Sequence, residues 1–295
     1  MFTFYVFKFF EFFLLLSGKK FRKNFFLFLA WFAYHIDKTH RRVIRQNLKF
    51  IYGDNLDESR INYIERYCYK NLLLNFLQVV ENRHLPIEDL AKTVTLEPKE
   101  IVNIAKEEGR PIVFATGHFG RWKLGGIVVS KLIKPSMIVY KQMNNHFFQD
   151  YLNESRERFR ISSVEKNGAV KHLMKQLRKG DSIALLIDTN LSKKDGVVVD
   201  FFGKPTRTTA TTAYLARKTG ALIIPIAIVT DDEENFILKF SEPIEVAQTE
   251  DEEADILEAT QKQVTAFEAI MKEYPHLWFW CHKRWKTDYP EIYAG

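Results

Sequence analysis

The sequence predicts an α/β fold in which a mainly parallel sheet is flanked by helices, behind a hydrophobic N-terminal segment. Three uninterrupted apolar runs, at Ile112–Ala115, Ile183–Ile187 and Leu222–Val229, have the length of strands that are buried on both faces. Stretches with helical spacing of apolar residues separate these runs, and this alternation favours parallel strands. The 295 residues suffice for one large domain or two ordinary ones.

Residues 1–37 are interpreted as a hydrophobic membrane-anchoring segment, and residues 38–295 as the folded domain. Twelve of the 25 phenylalanines precede residue 36, in two apolar blocks separated by a basic cluster that contains Lys19, Lys20, Arg22 and Lys23. Neither block reaches the roughly 20 apolar residues that cross a bilayer. The segment is therefore interpreted as a short membrane helix or a pair of interfacial helices, and the less favoured alternative is an aromatic core helix. Because the basic cluster follows the first block, we expect no cleaved secretory signal and a cytoplasmic location for the rest.

Helical periodicity predicts most of the remaining elements. Apolar residues recur at helical spacing from Arg60 to Val80, and a short charged helix is expected from Glu97 to Glu107. Further helices are predicted at Arg121–Leu132, Asn144–Arg158, Ala169–Arg178, Thr209–Arg217 and Glu250–Tyr274. The last of them, acidic at its start and apolar afterwards, is expected to close the domain.

Composition and missing motifs exclude several classes of protein. With 46% hydrophobic and 27% charged residues the chain is neither disordered nor fibrous. Only Cys68 and Cys281 occur, which excludes a disulfide framework and favours core packing for both. The signatures of serine hydrolases, P-loop NTPases, Rossmann enzymes and common zinc proteases are absent from the sequence. The net charge is +6, and the basic residues are scattered along the sequence. A membrane surface or an acidic protein partner therefore explains the charge better than nucleic acid.

The segment Thr116–Lys123 is the strongest candidate for a functional site. It follows the first buried strand, and open α/β sheets bind ligands at the carboxyl ends of their strands. His118 lies there between Gly117 and Gly120, two residues that suit unusual backbone angles and the close approach of a substrate. The structural alternative is a capping histidine whose hydrogen bonds are satisfied within a loop.

The same segment resembles the H-x-G-x-W-E element of the lipid A biosynthesis acyltransferases, which belong to the lysophospholipid-acyltransferase-like superfamily with its H-x4-D/E motif. Further elements resemble that family in the same order along nearly the whole chain. They are Ser155–Arg156 with the helix Lys171–Gly180, Asp188–Thr189–Asn190, Phe201–Pro205 followed by Thr208, and the near-terminal Trp278–Lys286. The resemblance implies an acyltransferase-like fold without a metal or bound cofactor.

The resemblance also implies a reaction and its participants. An acyl carrier protein would donate a fatty acyl chain to a hydroxyl of a lipid A precursor at the cytoplasmic face of the inner membrane. His118 would be the general base, and Arg156 would polarise the thioester carbonyl or hold an acceptor phosphate. Substrate binding is assigned to a larger group: Gly117, Gly120, Arg121, Phe202, Gly203, Thr208 and Arg284. A basic helix face at Lys171, Lys175, Arg178 and Lys179 would dock the carrier protein or simply be solvated.

Position 123 departs from the family because Lys123 replaces the carboxylate that orients the histidine. An ammonium cannot accept the imidazole N–H bond, and its charge would lower the pKa of His118. Three explanations stay open. Another carboxylate, Asp188 first and Glu165 second, reaches the histidine; the chain is a weakened or silent lipid-binding relative; or Lys123 is an introduced substitution. Acylation of another membrane glycolipid or of a lysophospholipid is the alternative reaction.

Overall fold

A seven-stranded sheet forms the centre of the protein in a computed structural model, which describes residues 2–84, 86–107 and 109–294. The strands are, in chain order, β1 (Val94–Glu97), β2 (Ile112–Thr116), β3 (Ser136–Tyr140), β4 (Ile161–Glu165), β5 (Ser182–Leu186), β6 (Val197–Phe201), β7 (Lys204–Thr208), β8 (Leu222–Val229) and β9 (Phe236–Phe240). The central sheet has the order β1-β9-β8-β2-β5-β3-β4, and β6 pairs with β7 in a separate antiparallel hairpin. Met1 and Gly295, the outer ends of the two predicted domains, lie outside the described residues.

Helices cover both faces of the sheet. In the part of the chain that the structure describes they are α1 (Phe2–Leu16), α2 (Lys19–Ile36), α3 (Lys38–Tyr52), α4 (Glu58–Asn82), α5 (Ile87–Lys92), α6 (Lys99–Glu107), α7 (Trp122–Val128), α8 (His146–Arg158), α9 (Ala169–Arg178), α10 (Thr211–Thr219) and α11 (Glu252–Glu273). A wide helical turn, Val129–Ile133, extends α7. One buried apolar cluster packs on each face of the sheet.

The register of the sheet brings two turns together. Within the sheet every strand pair is parallel except β8 with β9. β2 lies between β8 and β5, and its last residue, Thr116, is paired with Leu186 at the end of β5. The backbone N–H of Ile187 donates to the carbonyl of Thr116 at 2.8 Å. The turns that follow β2 and β5 therefore begin side by side.

The strongest sequence signals are confirmed. The run Leu222–Val229 is β8, and the other two runs lie within one residue of β2 and β5. The helices predicted at 60–80 and 169–178 are α4 and α9. The charged helix expected from Glu97 begins two residues later, because Glu97 ends a strand. β3, β4 and the β6–β7 hairpin were not predicted, since β3 and β4 are only partly buried and lack long apolar runs.

The hydrophobic N-terminal segment forms two helices that pack on the rest of the protein. α2 lies along α4, and Phe26 is buried with Leu74 and Leu77 of that helix. α1 contacts α8, where the Phe4 and Phe148 rings are 5.3 Å apart. Among the described residues no helix combines the length and the apolar character needed to cross a membrane. Many aromatic side chains of the two helices remain exposed: Phe2, Phe9, Phe12, Phe13, Phe21, Phe28, Trp31 and Phe32.

The C-terminal segment is attached to helix α3 by one buried amide. Asn47 is fully buried, and its side-chain N–H groups donate to the carbonyls of Trp280 at 2.7 Å and His282 at 2.9 Å. Its side-chain oxygen accepts a hydrogen bond from Tyr293. These contacts fix the segment that carries the near-terminal aromatic motif.

Replacing Asn47 by alanine is expected to lower the free energy of unfolding by about 2–5 kcal/mol, because buried carbonyls lose their donor. Denaturant titration followed by circular dichroism measures the change. Asn103→Ala, an exposed position on α6, serves as the matched control and should shift stability by less than about 0.5 kcal/mol. Equal stability of the two variants would contradict this role of Asn47.

Candidate active site

His118 lies in the turn that follows β2, at the carboxyl edge of the sheet. Its backbone carbonyl accepts a hydrogen bond from the N–H of Phe279 at 3.0 Å, and Phe119 forms a bridge with Trp278. The C-terminal segment thus runs beside the turn and holds it. The His118 side chain keeps 30% of its surface exposed, so a substrate can reach the imidazole.

Asp188, in the turn after β5, contacts His118 twice. Its Oδ1 is 3.0 Å from the imidazole Nδ1, and its Oδ2 accepts the His118 backbone N–H at 2.7 Å. Oδ2 also accepts the indole N–H of Trp278 at 2.9 Å. A carboxylate only accepts, so this contact assigns the proton to Nδ1 and leaves Nε2 free as a base. The structure thus brings together His118 and the first of the two predicted carboxylates.

The charges of this pair support each other. Burial raises the pKa of Asp188, but the charge of His118 and the hydrogen bonds from His118 and Trp278 lower it by more, to about 2. Burial lowers the pKa of His118, while the charge of Asp188 and its hydrogen bond raise it by more, so the net shift is upward. Asp188 is therefore ionised at neutral pH and stabilises a protonated His118.

The near-terminal motif holds each residue of the turn Asp188–Thr189–Asn190. Trp278 donates to Asp188, as described, and Arg284 donates to the carbonyl of Thr189 at 3.0 Å. The backbone N–H of Asn190 donates to Nε2 of His282 at 2.9 Å. Sequence reasoning missed Trp278 and His282 as positioning residues. The available signal was that the Trp278 indole N–H and the His282 ring nitrogen are polar groups in the same motif as Arg284.

Arg284 and Thr208 bind each other, which corrects the prediction that they bind substrate. Only 1% of Arg284 is exposed. Its guanidinium donates to Oγ1 of Thr208 and to the carbonyl of Arg207, both at 2.6 Å. Burial lowers its pKa to about 10. Arg284 therefore joins the hairpin strand β7 to the turn after β5.

Arg121 is also a structural residue, which corrects the expectation that it binds substrate. It is 3% exposed. Its guanidinium donates to the backbone oxygen of Asn71 at 2.9 Å and forms an ion pair with Glu233. The arginine fastens the turn after β2 to α4 and to the loop after β8.

Phe202 and Gly203 form the tip of the β6–β7 hairpin, and their binding of substrate stays a prediction. Both have positive φ angles, 58° and 71°, as a two-residue hairpin turn requires. The Phe202 N–H donates to Glu268, and the Gly203 N–H donates to Asp200 at 2.8 Å. Phe201, Trp278 and Trp280 are buried core residues.

Gly117 and Gly120 are needed for packing within the protein, and the close approach of a substrate to them stays a prediction. A Cβ at Gly120, where φ is +54°, would lie 1.9 Å from the carbonyl oxygen of Ile228. At Gly117 it would lie 2.4 Å from the Phe267 ring and 2.9 Å from Oδ2 of Asp188. Both glycines let the turn fit closely against β8, α11 and the carboxylate.

Lys123 acts on the pKa of His118 in the direction opposite to Asp188, and Arg156 acts on the pKa of Lys123. The Lys123 ammonium is 5.3 Å from the centre of the Phe76 ring, and Arg156 donates to the side-chain oxygen of Asn153 at 3.0 Å. Burial lowers the pKa of Lys123, and the charge of Arg156 lowers it further. The charge of Lys123 in turn lowers the pKa of His118. Lys123 thus opposes the effect of Asp188 on the imidazole.

Other features lie apart from this site. A cavity of about 400 Å³ lies between α2 and α4, lined by aromatic residues such as Trp31 and Tyr67 and by the cations Arg66 and Lys70. Glu165, the second predicted carboxylate, is the last residue of β4 and is paired with Tyr140. Cys68 and Cys281 are buried and form no disulfide. Among the described residues no group of three acidic, histidine or cysteine side chains could hold a metal ion.

Comparisons with known proteins give the same family as the motifs. The sequence model of the family described as bacterial lipid A biosynthesis acyltransferase matches residues 1–287. A lipid A biosynthesis acyltransferase of Haemophilus influenzae is 24% identical over 264 residues, which cover 88% of this chain and 82% of that protein. A phosphatidylinositol mannoside acyltransferase of Mycolicibacterium smegmatis is 26% identical over 188 residues, 62% of this chain and 60% of that protein.

Among solved structures, the 1-acyl-sn-glycerophosphate acyltransferase of Thermotoga maritima aligns with a TM-score of 0.40 and 14% identity, over 88% of this chain and 99% of that one. The family assignment depends instead on the sequence match, which includes every element of the site from His118 to Arg284. The chain therefore belongs to the bacterial lipid A biosynthesis acyltransferase family and is an O-acyltransferase.

Proposed function

We propose that this protein transfers a fatty acyl chain from acyl carrier protein to a hydroxyl group of a lipid A precursor, with His118 as the general base. The observation that carries the proposal is the contact between His118 Nδ1 and Asp188 Oδ1 at 3.0 Å. It gives the histidine the carboxylate partner that Lys123 cannot provide. A catalytically silent protein, the alternative suggested by Lys123 alone, would not need this arrangement.

The reaction follows from the position of the free ring nitrogen. Nε2 of His118 removes the proton of the acceptor hydroxyl while its oxygen attacks the thioester carbonyl carbon. The tetrahedral intermediate then collapses, the C–S bond breaks, and the imidazolium returns the proton to the departing thiolate. Asp188 stabilises the imidazolium between these steps, and a general base of this kind contributes about 10²–10⁴-fold to the rate.

Two surfaces support the proposed partners. The side chains of Lys171, Lys175, Arg178 and Lys179 are exposed on and just after α9, while Leu173 and Leu177 of that helix are buried. This basic face suits an acidic carrier protein. The exposed aromatic residues of α1 and α2, with Lys19, Lys20 and Lys23 beside them, suit insertion into the interfacial region of the cytoplasmic leaflet of the inner membrane.

A second acceptor class is favoured by the Mycolicibacterium relative, whose name describes acylation of a phosphatidylinositol mannoside. Both acceptors are lipids with a sugar and phosphate, and the chemistry at His118 is the same for each. Purified protein incubated with acyl carrier protein thioester and each acceptor in turn, with products identified by mass spectrometry, separates the two. Product from neither acceptor would contradict the proposal.

Replacing His118 by alanine is expected to lower kcat by at least about 10²–10⁴-fold, because the base is lost. Asp188→Asn should have an effect up to about 10⁴-fold, because an amide can hold the imidazole in the wrong tautomer. Acyl transfer is measured at saturating substrate on protein checked for native circular dichroism. His146→Ala removes an exposed imidazole on α8 and should retain activity. Near-normal activity of His118→Ala would reject His118 as the base.

The pH dependence of kcat/KM should show an acidic limb centred above about 6.5, the ordinary pKa of histidine. His118 must be neutral to act as a base, and Asp188 raises its pKa. In Asp188→Asn, burial and the charge of Lys123 remain and both lower this pKa, so the limb should move to lower pH. In Lys123→Met it should move to higher pH. A limb unaffected by Asp188→Asn would show that another group titrates.

Trp278→Phe keeps an aromatic ring but removes the hydrogen bond to Asp188, and we expect kcat to fall about 10- to 100-fold with little change in KM. Trp280→Phe is the matched control, because that indole is equally buried and donates to the carbonyl of Pro275 at 2.7 Å instead. Kinetics and thermal unfolding are compared for both variants. A similar loss of stability with unequal loss of kcat supports positioning by Trp278, whereas equal kcat values count against it.

A further inference from the structure

The cavity of about 400 Å³ between α2 and α4 is lined by neither His118 nor Asp188. Its volume lies in the range of about 300–1,000 Å³ that is typical of small-molecule sites. One wall comes from the part of α2 between Leu27 and His35. The facing wall comes from α4, where the lining residues recur at i, i+3, i+4 and i+7 and therefore share one face of the helix. They are Tyr63, Arg66, Tyr67 and Lys70.

This face of α4 is aromatic and cationic where a helix contact is usually apolar. Further along the same helix, Leu74 and Leu77 pack directly on Phe26 of α2, as expected of two helices that bury an apolar stripe. Arg66 and Lys70 instead give the cavity polar donors, which a purely structural contact between the helices does not need. The composition of the wall therefore indicates a binding site.

The cations of the wall carry more positive charge than their neighbours compensate. Arg66 contacts the Tyr34 ring, with its guanidinium 5.5 Å from the ring centre, and forms no ion pair with any residue that the structure describes. Lys70 pairs with Glu233 at 2.8 Å, but the same carboxylate also pairs with Arg121. Two cations thus share one carboxylate, and the ammonium of Lys70 keeps donors for another acceptor. The wall suits an anionic group such as a phosphate.

The cavity also offers positions for a positive charge. Asp231, in the loop after β8, lines it and forms no ion pair within the described part of the chain. The rings of Tyr63 and Tyr67, 5.8 Å apart, line it as well. Carboxylates and aromatic rings both attract an ammonium group. A ligand that carries a phosphate and an amine therefore matches the charges of the cavity better than a simple anion.

The surface beside the cavity is hydrophobic and exposed. Phe28 and Trp31 of α2 are 55% and 57% exposed, and their rings stack with centres 5.9 Å apart. Trp31 also lines the cavity, so the polar pocket and the apolar surface are continuous. A molecule with a charged end and fatty acyl chains can occupy both, and a phospholipid has this form.

We propose that this cavity binds the headgroup of an amine-bearing phospholipid, such as phosphatidylethanolamine, as a membrane lipid that is not a substrate. The phosphate contacts Arg66 and Lys70, the ammonium lies at Asp231, and the acyl chains follow the exposed face of α2. The inference goes beyond the proposed function and uses only its placement of α1 and α2 at the membrane. Because Glu233 links Lys70 to Arg121, the bound lipid adjoins the contacts that hold the turn after β2.

Binding of short-chain lipids to the detergent-solubilised protein, with both N-terminal helices present, tests this proposal by native mass spectrometry. Dihexanoyl phosphatidylethanolamine should bind about 10-fold more tightly than dihexanoyl phosphatidylglycerol, which lacks the amine. Free phosphoethanolamine should bind at least about 10-fold more weakly than the lipid, because it has no chains to bury on α2. An equal or reversed order in either comparison would overturn the proposal.

Arg66→Met should weaken binding of the phosphatidylethanolamine about 10- to 100-fold, because the phosphate loses a charged donor. Asp231→Asn should reduce the preference over phosphatidylglycerol to less than about 2-fold. Arg60→Met is the matched control, because Arg60 is exposed on α4, lies 5.1 Å from the centre of the Tyr63 ring and does not line the cavity. Equal binding by Arg66→Met and Arg60→Met would count against the site.

His118→Ala keeps this test separate from the proposed reaction. The variant should lose acyl transfer but bind phosphatidylethanolamine within about 2-fold of the wild type, because His118 does not line the cavity. Loss of lipid binding in His118→Ala would place the lipid at the histidine and reject the cavity site. Binding in the expected order by a wild-type protein that transfers no acyl chain would reject the proposed reaction and support the cavity site.

Discussion

The site depends on one buried carboxylate, that of Asp188, being stabilised as an anion. Burial alone would make the ionised form unfavourable, but donors from His118 and Trp278 surround both oxygens and bring the pKa to about 2. Parallel pairing of β2 with β5 places His118 beside Asp188, and the C-terminal segment adds the indole. The contact between His118 and Asp188 therefore requires both the register of the sheet and the near-terminal motif.

His118 is set between charges of opposite sign. Asp188 raises the pKa of the imidazole, and Lys123 lowers it. A base of this kind must be neutral before the reaction and charged during it, so the balance between its neighbours decides how readily each form is reached. In this chain the carboxylate is provided by the turn after the adjacent strand β5, not by the helix that follows the histidine. Position 123, on that helix, consequently does not have to be a carboxylate.

The sequence predicted those parts that follow from local patterns. Buried strands such as β8 have uninterrupted apolar runs, and the turn around His118 carries a recognisable motif. Asp188 was a first candidate because its strand was predicted to be a neighbour. The roles of Arg121 and Arg284 could not be predicted, because a buried arginine and a ligand-binding arginine look the same until their partners, Glu233 and Thr208, are located. The assignment of the hairpin tip at 202–203 to substrate came from the family resemblance and stays a prediction.

The contact between α1 and α8 has a practical consequence for handling the enzyme. Glu11 of α1 is buried against α8, where Tyr151 donates to its carboxylate, and α8 also carries Arg156. Removing the hydrophobic N-terminal helices to obtain a detergent-free sample would expose Tyr151, Leu74 and Leu77 to solvent. It would also destabilise α8, the helix that carries Arg156. Preparations should therefore retain both leading helices, with lipid or detergent shielding their outer aromatic rings.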